Sequence, residues 1–147
     1  MSLWSWCLEA YAEPGVAEAC LVLQDEHGQN VPLLLWSVWA EGPSPQALEA
    51  AVKTARIWQA EVLDPVRQVR RGLKSETLPV PAAAREALRE DIKSAELHAE
   101  RVLLEAFEAL AKGQNGHPAL ESLTAAAAAW GSPPPAVRLA ALAAALT

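Results

Sequence analysis

The feature that most constrains this sequence is a long apolar stretch, Pro14 to Ala40, interrupted once by the polar segment QDEHGQN. From Val16 to Leu23, apolar residues recur at positions i, i+3, i+4 and i+7, the spacing of one helix face. The second half, VPLLLWSVWA, is apolar almost all round, and such a helix is normally buried. It is too short to span a bilayer, which needs about 20 residues. The stretch therefore predicts a helical hairpin at the centre of the fold.

The polar segment carries the signals of a helix end followed by a helix start. Gly28 suits the left-handed conformation that commonly follows a helix. Asn30 is a favoured N-cap residue, and Pro32 then falls in the first turn, where proline is tolerated. We therefore expect the two apolar helices to be joined by a short, tight turn.

The rest of the chain favours an all-α class. It has 147 residues, of which 52% are hydrophobic and 20% charged, enough for one domain with a core. Prolines separate the helical patterns, and alternating β-branched runs are absent. We predict a single-domain helical bundle of about six or seven helices around the central hairpin. Besides the hairpin, helices are expected over Leu3–Ala12, from Pro45 through a kink or tight restart at Asp64-Pro65, and over Ala82–Lys112, Ala119–Trp130 and Pro134–Leu146.

The long helix and the C-terminal part carry two further expectations. A 3-4 spacing along the long helix predicts a bundle-forming seam. Its members are Leu88, Ile92, Ala95, Ala99, Val102, Ala106 and Leu110. Residues 1–112 form the predicted main body, whereas residues 113–147 are Ala-rich and offer few large side chains to bury. We expect that C-terminal part to dock loosely, or to pack against another subunit.

The two cysteines, Cys7 and Cys20, lie inside apolar helical patterns. The N-terminus lacks the basic and apolar regions of a secretory signal. A reducing cytoplasm then favours buried free thiols over a disulfide. The expected location is therefore cytoplasmic, and no transmembrane segment is predicted.

Three segments carry a resemblance to a known group of proteins: LQDxxGxxV at the hairpin turn, PVRQVRRGLK, and IKSAELHAE on the long helix. Together they resemble a family of hypothetical proteobacterial proteins that is a domain of unknown function, over roughly Ser2 to Leu110. The resemblance implies a bacterial origin. It brings no established activity, cofactor or catalytic residue.

Charge is distributed unevenly along the chain. The net charge is −6, and the first 52 residues contain seven acidic residues and no Lys or Arg. Residues 53–75 contain six basic and two acidic residues. A chain this acidic is a poor nucleic-acid binder in general, so a nucleic-acid partner is not expected.

The hairpin turn is the first candidate site. It brings together Gln24, Asp25, His27 and Asn30, and acid–base or metal chemistry needs carboxylates and imidazole close together. The alternative is structural, because a histidine at a helix C-terminus offsets the helix dipole and Asn30 is an ordinary cap. The turn has one histidine and no second one at ligand spacing, so no metal and no cofactor are predicted.

A basic stripe is the second candidate site. Arg67, Arg70, Arg71 and Lys74 are spaced i, i+3, i+4 and i+7, which places them on one helix face. The first interpretation is an internal ion-pair network with Glu96 and Glu100 of the long helix. The second is a surface for a partner protein or a second subunit. The third is a small-anion or nucleic-acid site, since guanidinium groups bind carboxylate and phosphate bidentately.

Six tryptophans complete the set of unusual residues. Core packing is the favoured interpretation, because tryptophan is a large apolar side chain with one donor. No phosphate-binding loop and no catalytic motif is present. Two functional hypotheses follow. The first is a non-catalytic interaction protein, with a homodimer as one form of it. The second is a small-molecule or anion binder, or an enzyme, with its site between the QDEHGQN turn and the Arg67–Lys74 helix.

Overall fold

The computed structural model describes residues 1–111 and 115–147, and both ranges contain helices and no strands. In chain order the helices are α1 (Leu3–Ala12), α2 (Val16–Asp25), α3 (Val31–Trp39), α4 (Pro45–Trp58), α5 (Asp64–Gly72), α6 (Ala82–Leu110), α7 (Ala119–Trp130) and α8 (Ala136–Leu146). A π-helical turn, Gln59–Leu63, joins α4 to α5 without a break. Because α4 and α5 form one continuous helix, the eight α-helical segments of the described residues make seven separate helices. The predicted all-α bundle of about six or seven helices is confirmed.

The core is built around α3, as the apolar stretch predicts. This helix buries six of its nine residues and packs against α1, α2, α4, α6 and α7. Trp36 is fully buried, and its ring centroid lies 5.4 Å from that of Phe107 on α6. The apolar side chains of such a helix are removed from water only when other helices cover it on all sides.

Side chains at the predicted helix starts act as caps. The Ser2 and Ser44 hydroxyls accept hydrogen bonds from the N–H groups of Ser5 and Ala47, each at 3.1 Å. The Asn30 carboxamide accepts from the Leu33 N–H at 3.0 Å. Each bond satisfies a backbone donor that the first helical turn leaves without an intrahelical partner. The turn predicted after α2 is also present, with Gly28 at φ +61°.

The C-terminal helices differ from the loose docking expected of them. Leu123, Ala126 and Ala127 of α7 are completely buried, and α7 packs along α3. Helix α8 packs against α2 and α7 and buries Leu142. Small alanine side chains let two helix axes approach closely, so this Ala-rich sequence is packed tightly without large side chains.

The seam predicted on the long helix is wrong for most of its members. The buried residues of α6 are Glu96, Ala99, Leu103, Leu104 and Phe107, whereas Leu88, Val102 and Leu110 are exposed. The larger side chains Leu103, Leu104 and Phe107 face the core, and only Ala99 belongs to both sets. The helix ends at Leu110, and the predicted end, Lys112, lies outside the described residues.

One part of the molecule contributes nothing to the core. Between residues 64 and 95, none is buried. This segment comprises α5, its connection to α6 and the first half of α6, and we call it the α5–α6 arm. The arm continues from the body through the π-helical turn and through α6, and within it α5 packs against α6.

The cysteines and tryptophans lie as the sequence predicts. Cys7 and Cys20 are buried free thiols, and burial raises the pKa of Cys7 to about 12 and of Cys20 to about 11. Trp36 and Trp130 are buried, and the other four tryptophans pack against the core partly buried. None of the helices within the described ranges combines the length and apolarity required to cross a membrane.

Candidate functional site

A polar cleft of about 480 Å³ lies between the α2–α3 turn, the π-helical turn with α5, and the middle of α6. Clefts of this volume are typical of small-molecule sites. It brings together the three segments that carry the resemblance described above. The charged side chains that line it are Asp25, Asp64, Arg67, Arg70, Arg71, Glu96 and Glu100.

An ion-pair network forms the wall of the cleft between α5 and α6. Arg67 Nε donates to Glu96 Oε1 at 3.1 Å, and its Nη2 lies 3.5 Å from Glu100 Oε1. Arg70 Nη1 lies 3.0 Å from Glu96 Oε2. Both oxygens of Glu96 are therefore paired, and this residue is 8% exposed. The predicted pairing of the basic stripe with Glu96 and Glu100 is confirmed for Arg67 and Arg70.

The π-helical turn places these arginines. Pro65 has no N–H, and in a regular α-helix its ring would clash with the carbonyl four residues earlier. In the π-helical turn, the N–H of Asp64 instead donates to the carbonyl of Gln59, five residues earlier. The helix thus continues past the proline, and Arg67 and Arg70 lie on the side that faces α6. π-Helical turns occur frequently at functional sites.

The α2–α3 turn is fixed from the opposite side by α7. The Gln29 carboxamide donates to the carbonyls of Gly131 and Ser132 at 3.0 and 3.2 Å. Trp130 Nε1 donates to the Gly28 carbonyl at 2.8 Å. The Arg56 guanidinium stacks 4.2 Å above the Trp130 ring and donates to the Trp130 carbonyl. The turn is therefore a rigid wall of the cleft.

Most of the predicted site residues share this one cleft. They are Gln24, Asp25, Asn30, Arg67, Arg70, Arg71, Glu96 and Glu100. The other two, His27 and Lys74, do not line it, and His27 is half-buried at the end of α2. The imidazole that the acid–base interpretation required therefore lies outside the cleft, whereas Asp25 lines it.

Two further polar residues of the cleft, Gln59 and Asp64, were not predicted as site residues, and Gln29 was predicted only as part of the QDEHGQN turn. Asn30 Nδ2 donates to Gln59 Oε1 at 3.3 Å, which links the turn to the π-helical turn. The signal was present in Asp64-Pro65, because a proline within a continuing helical pattern marks a disturbed turn. No sequence pattern indicated that Gln59 would line the cleft.

The charges of the cleft are only partly compensated. Among the described residues, no acidic group lies within 4 Å of Arg71. Arg70 Nε and Gln29 Oε1 are buried and have no hydrogen-bond partner in the described structure. A buried donor without a partner is unfavourable, so an oxygen atom brought to Arg70 would stabilise it.

Glu100 lies at the edge of the cleft and is electrostatically perturbed. Burial raises the pKa of its carboxyl above 4.5, Arg67 acts against this shift, and Glu96 adds to it. Glu96 and Glu100 are neighbouring carboxylates that share Arg67 and Arg70. Glu100 is the less well paired of the two, so it is protonated more readily.

A metal site in the cleft would need several grouped ligands. Among residues 1–111 and 115–147, no three His, Cys, Asp or Glu side chains are grouped so that they could hold a metal ion. The carboxylates of Glu96 and Glu100 are engaged by arginine instead. The cleft contains hydrogen-bond donors and acceptors and charges, and it can bind and orient a polar molecule.

Comparison with known proteins places the cleft within a shared sequence region. Residues 2–107 match the model of one family, described as a protein of unknown function (DUF2390). This range includes α1 to α5 and nearly all of α6, and with them every residue that lines the cleft. No curated protein and no solved structure matches the chain.

Proposed function

We propose that this chain, which belongs to the DUF2390 family of proteins of unknown function, binds a small anionic ligand in the polar cleft. The observation that carries the proposal is the state of two neighbouring arginines. Arg70 Nε is buried without a partner, and Arg71 has no acidic group within 4 Å among the described residues. Both line the cleft. A carboxylate or phosphate group of the ligand supplies the missing oxygens.

The ion-pair network supports binding by holding the arginines in place. Arg70 is fixed by Glu96 through Nη1, which leaves its other nitrogens for a ligand. A binding group that is already oriented loses little conformational entropy when the ligand arrives. Arg67 is paired with both Glu96 and Glu100 and acts as a support.

Nuclear magnetic resonance of the arginine Nε–H groups tests this proposal, with inorganic phosphate and acetate as probes. We expect saturable shifts of the Arg70 and Arg71 signals. A charge-assisted hydrogen bond contributes about 1.5–3 kcal/mol, so Arg71→Gln should weaken binding about tenfold or more. Arg138→Gln, an exposed arginine of α8 that does not line the cleft, is the matched control. Shifts that never saturate, or equal losses in both variants, would refute an anion site.

Self-association through the α5–α6 arm is a second candidate function. The arm exposes Val69, Val80 and Leu88, each about half accessible to solvent. Removing exposed apolar side chains from water is favourable, so such side chains contribute to protein–protein contacts. A second copy of the chain, packed arm to arm, would cover them.

Light scattering over a range of concentrations tests this candidate. We expect the wild type to form a dimer and Leu88→Asp to be a monomer. Leu120→Asp, at an exposed leucine of α7, should leave the dimer intact. A wild-type monomer at every concentration would exclude self-association.

We propose the bacterial cytoplasm as the location of this protein. Its two buried free thiols suit a reducing compartment. Cell fractionation with an antibody against the chain tests the location, and recovery from an oxidising compartment would contradict it.

A further inference from the structure

An apolar groove of about 200 Å³ lies beside the polar cleft, between α1 and α6. Trp4, Leu8 and Tyr11 of α1 form one side, and Leu97 of α6 forms the other. Leu8 and Leu97 are each 54% exposed. These side chains leave apolar surface in water at a concave site, where a ligand can cover it.

The groove and the cleft adjoin. Pro32 and Glu100 line both of them. Pro32 lies in the first turn of α3 and Glu100 on α6, so these two helices meet at the boundary between the polar and the apolar space. The Glu100 carboxylate is paired with Arg67 at 3.5 Å, which reduces its repulsion of a nearby anion.

We propose that the ligand is amphipathic, with its anionic group at Arg70 and Arg71 in the cleft and an alkyl or aromatic tail in the groove. This inference rests on the proposed anion site and specifies the class of its ligand. A single molecule that spans the boundary between the cleft and the groove makes both sets of contacts, so its head and its tail both contribute to the affinity.

The groove limits the length of the tail. A volume of about 200 Å³ holds about six or seven groups the size of a water molecule, at roughly 30 Å³ each. A methylene group is of similar size. Burying one methylene contributes about 0.8 kcal/mol, which corresponds to about fourfold in affinity. Affinity should therefore rise with tail length and then stop rising.

A series of monoalkyl phosphates, from inorganic phosphate to decyl phosphate below its micelle concentration, tests the inference by calorimetry. We expect affinity to rise about fourfold per methylene up to about six or seven carbons and then to stay constant. Leu8→Asn and Leu97→Asn should flatten this rise without changing the affinity for inorganic phosphate. Val137→Asn, at an exposed apolar residue of α8, should change nothing. Alkyl carboxylates of the same lengths then distinguish a carboxylate from a phosphate head group.

Each other outcome has one meaning. If inorganic phosphate binds and tail length has no effect, the groove is not a subsite, and the anion site stands. If no member of the series binds, both proposals fail. If affinity rises but Leu97→Asn leaves it unchanged, the tails bind elsewhere and the inference is overturned. Binding of the longer members alone, abolished by Leu97→Asn, supports it.

Discussion

The surroundings of α3 and the α5–α6 arm are held in place by different forces. Around α3 the chain is stabilised by apolar burial, with Leu33, Leu34 and Trp36 fully removed from water. In the arm no residue is buried, and the contacts of Arg67 and Arg70 with Glu96 hold α5 against α6. Salt screens the attraction between charges that are partly exposed to solvent, whereas the burial of apolar side chains involves no charge that salt could screen. The two regions should therefore respond differently to mutation and to solution conditions.

The largest difference is expected from removing apolar side chains. Phe107→Ala deletes a fully buried ring beside Trp36 and should lower the free energy of unfolding by about 3–5 kcal/mol, because it leaves a cavity. Leu88→Ala on the arm should lower it by less than about 1 kcal/mol. Urea denaturation measures both. Equal losses would mean that the arm belongs to the cooperative core.

An intermediate effect is expected from Glu96→Gln. The change keeps the shape of the side chain and removes the charge that pairs with Arg67 and Arg70. A hydrogen bond to a charged group contributes about 1.5–3 kcal/mol, so hydrogen exchange in residues 64–95 should accelerate about tenfold or more. Exchange in α3 and α7 should stay unchanged.

Glu90→Gln is the matched control for that experiment. Glu90 pairs with Lys93 at 3.0 Å within the arm, but both side chains are exposed, and such pairs contribute little. Acceleration in both variants, or in α3 as well, would contradict an attachment through Glu96. Added salt should accelerate exchange in the wild-type arm.

The smallest effect is expected at Glu100, where the two regions meet. Its folded pKa is raised, so the neutral carboxyl stabilises the fold, and this stabilisation is lost as the pH rises through the folded pKa. Glu100→Gln should therefore be slightly more stable than the wild type at pH 7. The difference should shrink as the pH falls toward 4.5, as urea denaturation at both pH values would show. Greater stability of the variant at the lower pH would contradict the sign.

The sequence predicted best the features that depend on residues close together in the chain. The caps at Ser2, Asn30 and Ser44 depend on short-range chemistry, and all three are present. The pairing of the basic stripe was also predictable. A half-buried arginine requires a carboxylate, and the long helix supplies Glu96.

The errors arose where distant parts of the chain meet. Which face of α6 is buried depends on the packing of α3, α4 and α1 against it, and the 3-4 pattern selected another face. The placement of Gln29 depends on the end of α7, about a hundred residues later. No local pattern contains that information, so the polar contacts of the cleft were only partly predictable.

The π-helical turn sets the phase of everything that follows it. A π-helical hydrogen bond spans one residue more than an α-helical one, and each residue of an α-helix advances about 100° around the axis. Removing a single residue between Gln59 and Leu63 would therefore turn α5 by about 100° and carry Arg67 and Arg70 away from Glu96. The ion-pair network that forms the wall of the cleft therefore depends on the number of residues in the π-helical turn as much as on the identity of the paired residues.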